Sequence, residues 1–531
     1  MENKKNGIGM QAVFPMFATV VMCFLVHGYR FANDIFSHDA LNVIVQNDAA
    51  WQIALGRFFQ PILIFLRGNL CSPWLLCLLQ TTWLALSVYL LTDLFQIQDK
   101  PAVLAVAGVV VSAESFIVVN ASFLAWSDLF AFSLFASIFA IWCIEKRKIL
   151  YALLGTGFIV ISIATYQAYV CVTITLMLML AVLQMCDFSK DLKKIIKLLL
   201  YYAVILLAAA AAYYASWQFV RGVLGIWAAD SYNGMASVGQ YEKGSLLASV
   251  LAAYQNVFLS FSAPAEMSNM VFRGMKLGNL WKYAAIAVNA AMAVTILLNT
   301  VDLCLRQREK YRSKGVYPVI RCILIALALL AFPLACNFVC VMSKGMEHSL
   351  MLFGTNMLYV FAVVMAGYRK RLPDEAKGRI RLFWGRAAVG IVAFLSGILI
   401  WEHFVYANQV YLKKSLQEKA AYSLLTRIVM DVEDTPGYIP GITPVAISGY
   451  FEGSPCLTEL WGFEDVTAYA MGKTSLTYQG TDYAMLNYYL SANMNLTRVD
   501  ASADAIRQMP VYPAEGSVSM VDGVLVIKIS E

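Results

Sequence analysis

Charge is what this chain has least of. Asp, Glu, Lys and Arg make up 14% of its 531 residues, hydrophobic residues 60%, and mean hydropathy is +0.65. A soluble domain carries about 25% charge, so most of this chain is no water-soluble core. Histidine is scarce as well, and four residues supply no zinc set. There is no GxGxxG between a strand and a helix, no GxxxxGK[ST] and no HExxH, which removes the signatures of dinucleotide binding, nucleotide-driven work and zinc proteolysis. The paired broken repeats of many secondary transporters are missing, and no internal repeat stands out. Eleven cysteines build no disulfide framework, because most fall inside apolar runs and only Cys456 lies in the polar tail. Cys336 and Cys340, four apart on an expected helix, read as packing residues.

What is present is lipid-soluble helix. Runs such as LLLYYAVILLAAAAAYYASWQFV (Leu198 to Val220) are apolar on every face and long enough to cross the hydrocarbon layer. By length, about eleven segments qualify: 12–29, 74–95, 101–119, 123–143, 149–164, 167–186, 197–220, 280–299, 318–337, 348–366 and 385–405. The first ends in FLVHGYR without a small-residue cleavage site, so it reads as an uncleaved span. The net charge of +6 resides in short connectors, such as Glu145 to Lys148, Asp187 to Lys197, Arg306 to Lys314 and Tyr368 to Arg381. All of these fall on the cytoplasmic side if Lys4 and Lys5 do. The positive balance therefore reports topology, not nucleic acid.

This topology leaves residues 30–73, about 221–279, 338–347 and the tail from 406 outside. LNVIVQNDAAWQIALGRFFQPILIFLRG (Leu41 to Gly68) and Ser245 to Phe261 have helical apolar spacing but suit helices lying in the interface, which together would lid the outer face. The expected organisation is a transmembrane domain over 1–405 and a small extracytoplasmic α/β or α+β domain over 406–531, about 120 residues being enough for its own core. Within that tail, NQVYLKKSLQEKAAYSLLTRIVMDVED reads as an amphipathic helix and TPVAISGYF as a buried strand. VSMVDGVLVIKIS reads as a hairpin turning at Asp522–Gly523.

Ionisable groups beside apolar runs are the candidates for chemistry. The first outer stretch places Asp34, His38, Asp39, Asp48 and Arg57 just beyond a span. Asp34 and His38 share a helical face, with Asp39 beside it. A carboxylate there could take a proton from an acceptor hydroxyl, and Arg57 could hold a carboxylate or a phosphate. Glu114 and Asp128 flank the turn ESFIVVNASFLAWSD, and Tyr166 and Gln167 in TYQAYV could hydrogen-bond a sugar. Arg221, Arg273, Lys276, Lys344 and His348 are outward cations at the level where a lipid phosphate would need them.

Several short pieces stand in a set order: HDAL (His38 to Leu41), then Trp51 and Gly56 to Phe58; Asp128; TYQAYV; FPLACN (Phe332 to Asn337); YANQVYLKKS (Tyr406 to Ser415); and a tail running QMPVYPAEGSVSMVDGVLVIKIS. In this order they resemble the bacterial glucosyl transferase II family, serotype-converting polytopic glycosyltransferases with a GT-C fold. The resemblance covers nearly the whole chain. It implies transfer of a hexose, glucose first, from a polyprenyl-phosphate carrier to a cell-surface glycan or glycolipid at the outer face of the plasma membrane, with an acidic residue of the first outer loop as base. Where the family often has His-Asp-Asp, this chain has His38-Asp39-Ala40, so Asp39 keeps the first position and either acts alone or has Asp34 or Asp48 in the role of the second. Arg57-Phe58 stands where Arg-Trp is usual, and His348 where a basic residue often follows FPLACN.

The implied reaction is a single displacement, with Asp39 as base, Arg57 on the departing phosphate, and Glu114, Asp128, Tyr166 and Gln167 around the sugar and acceptor. No resident cofactor follows from the sequence, although carboxylates near a phosphate are also ligands for Mg²⁺ or Mn²⁺. A related glycan polymerase or ligase of the same architecture is the closest alternative. A flippase for lipid-linked sugars explains the spans and outward cations equally well, but the acid-rich first loop and large outer tail less well.

Overall fold

The computed structural model describes residues 8–35, 48–229, 245–262, 279–311, 317–345, 347–371, 379–464, 466–468, 470–476 and 480–531. In chain order the helices begin with α1 (Ile8–Ala32), α2 (Ala49–Ala54), α3 (Gln60–Leu66), α4 (Pro73–Leu94), α5 (Lys100–Val111) and α6 (Glu114–Ser122). There follow α7 (Ser127–Ile144), α8 (Ile149–Thr165), α9 (Val170–Cys186), α10 (Leu192–Leu224), α11 (Ser245–Ser262) and α12 (Asn279–Lys310). The bundle closes with α13 (Tyr317–Cys336), α14 (Phe338–Met342), α15 (Phe353–Arg371) and α16 (Arg379–Glu433). Local chemistry sets several ends. Pro73 occupies the first turn of α4, where its missing N–H costs nothing. Asp191 caps α10 by accepting from the Lys193 N–H, and Gly225, at φ +67°, stops that helix in the left-handed region.

Among the described residues, nine helical stretches are long and apolar enough to cross a membrane: Ala12–Ala32, Pro73–Leu94, Lys100–Ser122, Leu124–Ile144, Gln167–Cys186, Leu192–Leu224, Tyr283–Arg306, Tyr317–Cys336 and Ala387–Glu433. Ile149–Thr165 and Phe353–Tyr368 are shorter apolar helices where the other two spans were expected, and Ser245–Phe261 is a third, where an interfacial helix was. The chain is thus a multi-pass membrane protein. Lys100–Ser122 is its centre, with 94% of its apolar window buried, whereas Leu192–Leu224, with 28%, is peripheral. Close packing at that centre needs small residues. A Cβ on Gly108 of α5 would come within 2.2 Å of Ile400 on α16, and one on Gly354 of α15 within 2.2 Å of the Cys336 carbonyl oxygen. Cys336 ends α13 and Cys340 lies in α14 beyond a turn at Asn337, so the two cysteines do not share one continuous helix face.

Residues 385–405 and the amphipathic stretch after them, read separately from the sequence, form one helix. α16 carries no Pro, and its Gly residues, Gly385, Gly390 and Gly397, all precede the polar stretch, so nothing breaks the helix where the lipid-facing part ends. Beyond it lie β1 (Pro444–Ser448), α17 (Thr481–Ala484), β2 (Asn495–Leu496), α18 (Asp504–Arg507), β3 (Val518–Val521) and β4 (Val524–Lys528). The described strands form a sheet in the order β2-β1-β4-β3, with β1 parallel to β2 and β4. β3 and β4 make an antiparallel hairpin in register Val518 with Ile527. Its turn residues Asp522 and Gly523 have φ +49° and +81°, matching the twist that two-residue hairpins require.

One face of this sheet buries Val445, Ile447, Leu525 and Ile527 against Leu424, Leu425, Ile428 and Val432 of α16. The same apolar cluster continues into Cys71, Leu76, Leu124 and Ala125 of the bundle, which seats the sheet on that end of the helices. Described residues between 459 and 472 are tied to α16. Lys413 Nζ donates to the Phe463 and Val466 carbonyls at 2.9 Å each and pairs with Glu459, Tyr406 Oη donates to Thr467 O at 2.9 Å, and Gln417 Nε2 donates to Gly472 O at 2.6 Å.

Candidate active site

At the end of the bundle that carries the sheet, residues 48–72 fold over the helix termini. The Asp48 carboxylate accepts the Trp51 N–H at 3.0 Å and so caps α2. The carbonyls at the end of this short helix are then taken up by the bundle: Ile53 O by Trp217 Nε1 at 2.7 Å, Leu55 O by Gln167 Nε2 at 2.6 Å and Gly56 O by Tyr213 Oη at 3.0 Å. Gly56 has φ +83°, and a Cβ there would lie 2.4 Å from Tyr213 Oη, so only glycine fits the fold-back. One turn on, Phe59 N donates to Ala164 O at 3.0 Å and Gln60 Nε2 to Thr165 O at 2.6 Å. Each bond satisfies a backbone group that apolar surroundings would leave costly.

This stitching positions Arg57. Its Nε donates to Gln167 Oε1 at 3.4 Å, and its guanidinium lies 5.0 Å from the centre of the Tyr166 ring, in cation–π range. Among the described residues no carboxylate pairs with it. Its charge also reaches His348, whose imidazole is pushed down to about 4, first by burial and then by Arg57. His348 is therefore neutral near pH 7, and the half-buried cluster keeps a net positive charge. The neighbouring Glu347 is 8% exposed and accepts from Asn256 Nδ2 at 2.6 Å; burial pushes its carboxyl up to about 7.

The base of the fold-back is an ion pair. Arg67, at the end of α3, bonds Asp128 in the first turn of α7, with side chains only 2% and 5% exposed, and its Nη2 donates to Ala125 O at 2.7 Å. Glu114 lies elsewhere, at the start of α6, where with Ser115, Ser349, Asn356, Tyr359 and His403 it lines a cavity of about 10 Å³.

Residues 28–366 match the glucosyl transferase GtrII family. The chain belongs to that family. No curated protein and no solved structure matches it. The matched range takes in residues 48–72, Arg57, Tyr166, Gln167 and His348, while α16 and the sheet lie beyond it. As a GtrII-family member with many membrane-length helices, this protein is a membrane glycosyltransferase.

Of the residues singled out in the sequence, Arg57, Tyr166, Gln167 and His348 come together in this glycosyltransferase. Asp128 is engaged by Arg67, Asp48 by its own helix, and Glu114 by the separate cavity. Asp34 is exposed, with its charge reaching Tyr422 and Tyr489 of the C-terminal region. His38, Asp39, Arg273 and Lys276 lie outside the described residues. Among the described residues, no three His, Cys, Asp or Glu side chains are grouped to hold a metal ion.

Sequence reading passed over Arg30, Arg67, Glu347, Glu402 and His403. Arg30 is fully buried and ties α1 to α6 by donating to Asn120 O at 2.8 Å, while its Nη1 donates to Asn33 O at 2.8 Å. The available signal was one or two ionisable residues within or at the edge of an apolar run, as in VHGYRF, IFLRG and LIWEHFV.

Asp128→Ala in the glycosyltransferase leaves a buried guanidinium uncompensated and is expected to cost about 3–5 kcal/mol, whereas Arg67→Met combined with Asp128→Leu should recover most of it. Thermal unfolding in detergent checks both, and a wild-type midpoint for the single variant would count against the role of the pair. Glu347 binds its proton more tightly folded than unfolded, so its contribution to stability is full below pH 4.5 and lost as pH rises through about 7. The unfolding midpoint of Glu347→Gln, relative to wild type, should therefore rise between those two pH values and stay level above them. A gap that does not change with pH would contradict this.

Proposed function

We propose that this glycosyltransferase moves a hexose, glucose first among candidates, from a polyprenyl-phosphate carrier to a cell-surface glycan or glycolipid at the outer face of the plasma membrane. The observation that carries this reading is Arg57. It is a half-buried guanidinium held by Tyr166 and Gln167 beside a neutral His348, with no carboxylate partner among the described residues. A cation positioned in this way is suited to an anionic group arriving from outside the chain, and a lipid phosphate at the end of a membrane bundle is such a group. The basic connectors support an eleven-span GT-C arrangement with the N-terminus cytoplasmic and the C-terminal region outside.

In the proposed step the carboxylate of Asp39 takes the proton of an acceptor hydroxyl while that oxygen bonds to the anomeric carbon. The bond from that carbon to the phosphate oxygen breaks, and polyprenyl phosphate departs with its charge facing Arg57. Asp34 is the neighbouring carboxylate that assists, and Tyr166 and Gln167 hold Arg57 and border the sugar. Residues 48–72 and α11 exclude water above the reacting atoms, which strengthens each of these interactions.

Purified protein in lipid, given polyprenyl-phosphate glucose and candidate glycan acceptors, should transfer sugar, and Asp39→Asn should lower turnover by roughly 10²–10⁴-fold with an unchanged unfolding midpoint. Near wild-type turnover by that variant would remove Asp39 as the base, and movement of the lipid-linked sugar between leaflets without transfer would favour a flippase. For topology, Trp461 is 94% exposed. Trp461→Cys in a Cys456→Ser background should react with a membrane-impermeant thiol reagent in intact cells, and its protection would overturn the outward placement of the tail.

A further inference from the structure

We propose that the cavity bounded by Glu114, Ser115, Ser349, Asn356, Tyr359 and His403 receives one hydroxyl of a hexose substrate and so helps set which sugar is transferred, an inference that rests on the transfer reading above. Polar groups are gathered here at the centre of the bundle, where burying them without partners is costly. Several have already used their hydrogens. Tyr359 Oη donates to Asn289 Oδ1 at 2.8 Å, Thr355 Oγ1 to Leu352 O at 2.7 Å and Ser260 Oγ to Val257 O at 2.8 Å. Ser115 Oγ and Ser349 Oγ have not. These residues are 5% and 3% exposed and line the cavity, and their hydroxyls have no hydrogen-bond partner among the described residues.

The space is about 10 Å³, room for roughly one oxygen-sized group. That group can accept from the Ser115 and Ser349 hydroxyls and donate to an oxygen lining the same small volume. On a hexose only a hydroxyl does both. The cavity is tied to the anion-facing cluster through the chain. Ser349 directly follows His348, which feels the charge of Arg57, and the 349–351 turn packs on α6, which begins with Glu114. A sugar whose phosphate or acceptor oxygen faces Arg57 could therefore extend a hydroxyl toward Ser115 and Ser349. A single water would fit the same space, and this is the alternative that the test separates.

The experiment measures kcat/KM for the full chain in lipid with a series of monodeoxy lipid-linked donors and, separately, a series of monodeoxy acceptors. Wild type should discriminate against one deoxy position by about tenfold to a hundredfold, the effect of leaving buried partners unsatisfied. In Ser115→Ala and in Ser349→Ala that discrimination should shrink toward unity at the same position only. The series in which this happens tells whether the hydroxyl belongs to donor or acceptor. If either variant fails to accumulate, the other carries the comparison. Equal losses for every sugar, or a changed unfolding midpoint with unchanged discrimination, would mean a structural water and overturn the proposal. A wild-type protein that transfers none of the hexoses would sink the transfer reading, and the inference with it, a result distinct from undiminished discrimination by an active variant.

Discussion

A charged guanidinium is costly in the dry end of a helical bundle unless an anion lies beside it, and Asp128 supplies that anion to Arg67. Much else at this end follows from the pair. Arg67 closes α3, so its anchor on α7 and on the Ala125 carbonyl fixes the far side of the fold-back over residues 48–72. With that side fixed, the near side can lay its carbonyls against Gln167, Tyr213 and Trp217, and Gly56 can turn where no side chain would fit. Arg57 then stands over Tyr166 as a consequence of backbone bonds made around it.

The polar residues at this end divide by what they still need. Asp128 and Arg30 have bonds that hold elements together, and Asp48 caps α2. Arg57 differs. Its contacts are a ring face and an amide oxygen, which orient a cation without neutralising it. Its neighbour His348 is kept uncharged by burial and by Arg57, so the fixed charge of the cluster is that of the guanidinium. Membership of the GtrII family gives the class of reaction, and holding an anionic substrate group is the role proposed for this arrangement.

α16 links the membrane part to the sheet without a hinge. A single helix passes from lipid-facing residues such as Phe394 to the buried face that packs on β1 and β4, and Phe463, Val466, Thr467 and Gly472 are bonded back to it through Lys413, Tyr406 and Gln417. The sheet region shares an apolar cluster with Leu76 and Leu124 of the bundle. The two parts are therefore coupled by a continuous core, and anything bound by the sheet region is held close to the helix ends.

The sequence by itself determined the membrane class, most of the apolar helices, the buried strand at 444–448 and the hairpin at Asp522–Gly523. Each depends on local composition, period or turn chemistry that no distant residue has to supply. It also made Arg57, Tyr166, Gln167 and His348 visible as polar residues beside apolar runs, and the order of short motifs pointed to the family. Only tertiary structure decided what each was for. Asp128 and Glu114 looked alike in sequence, as acids flanking one turn, yet one is joined to Arg67, 61 residues away, and the other lines a cavity. Pairing of charges across such separations depends on which helix ends pack together, and apolar runs that are alike on every face carry no record of their neighbours.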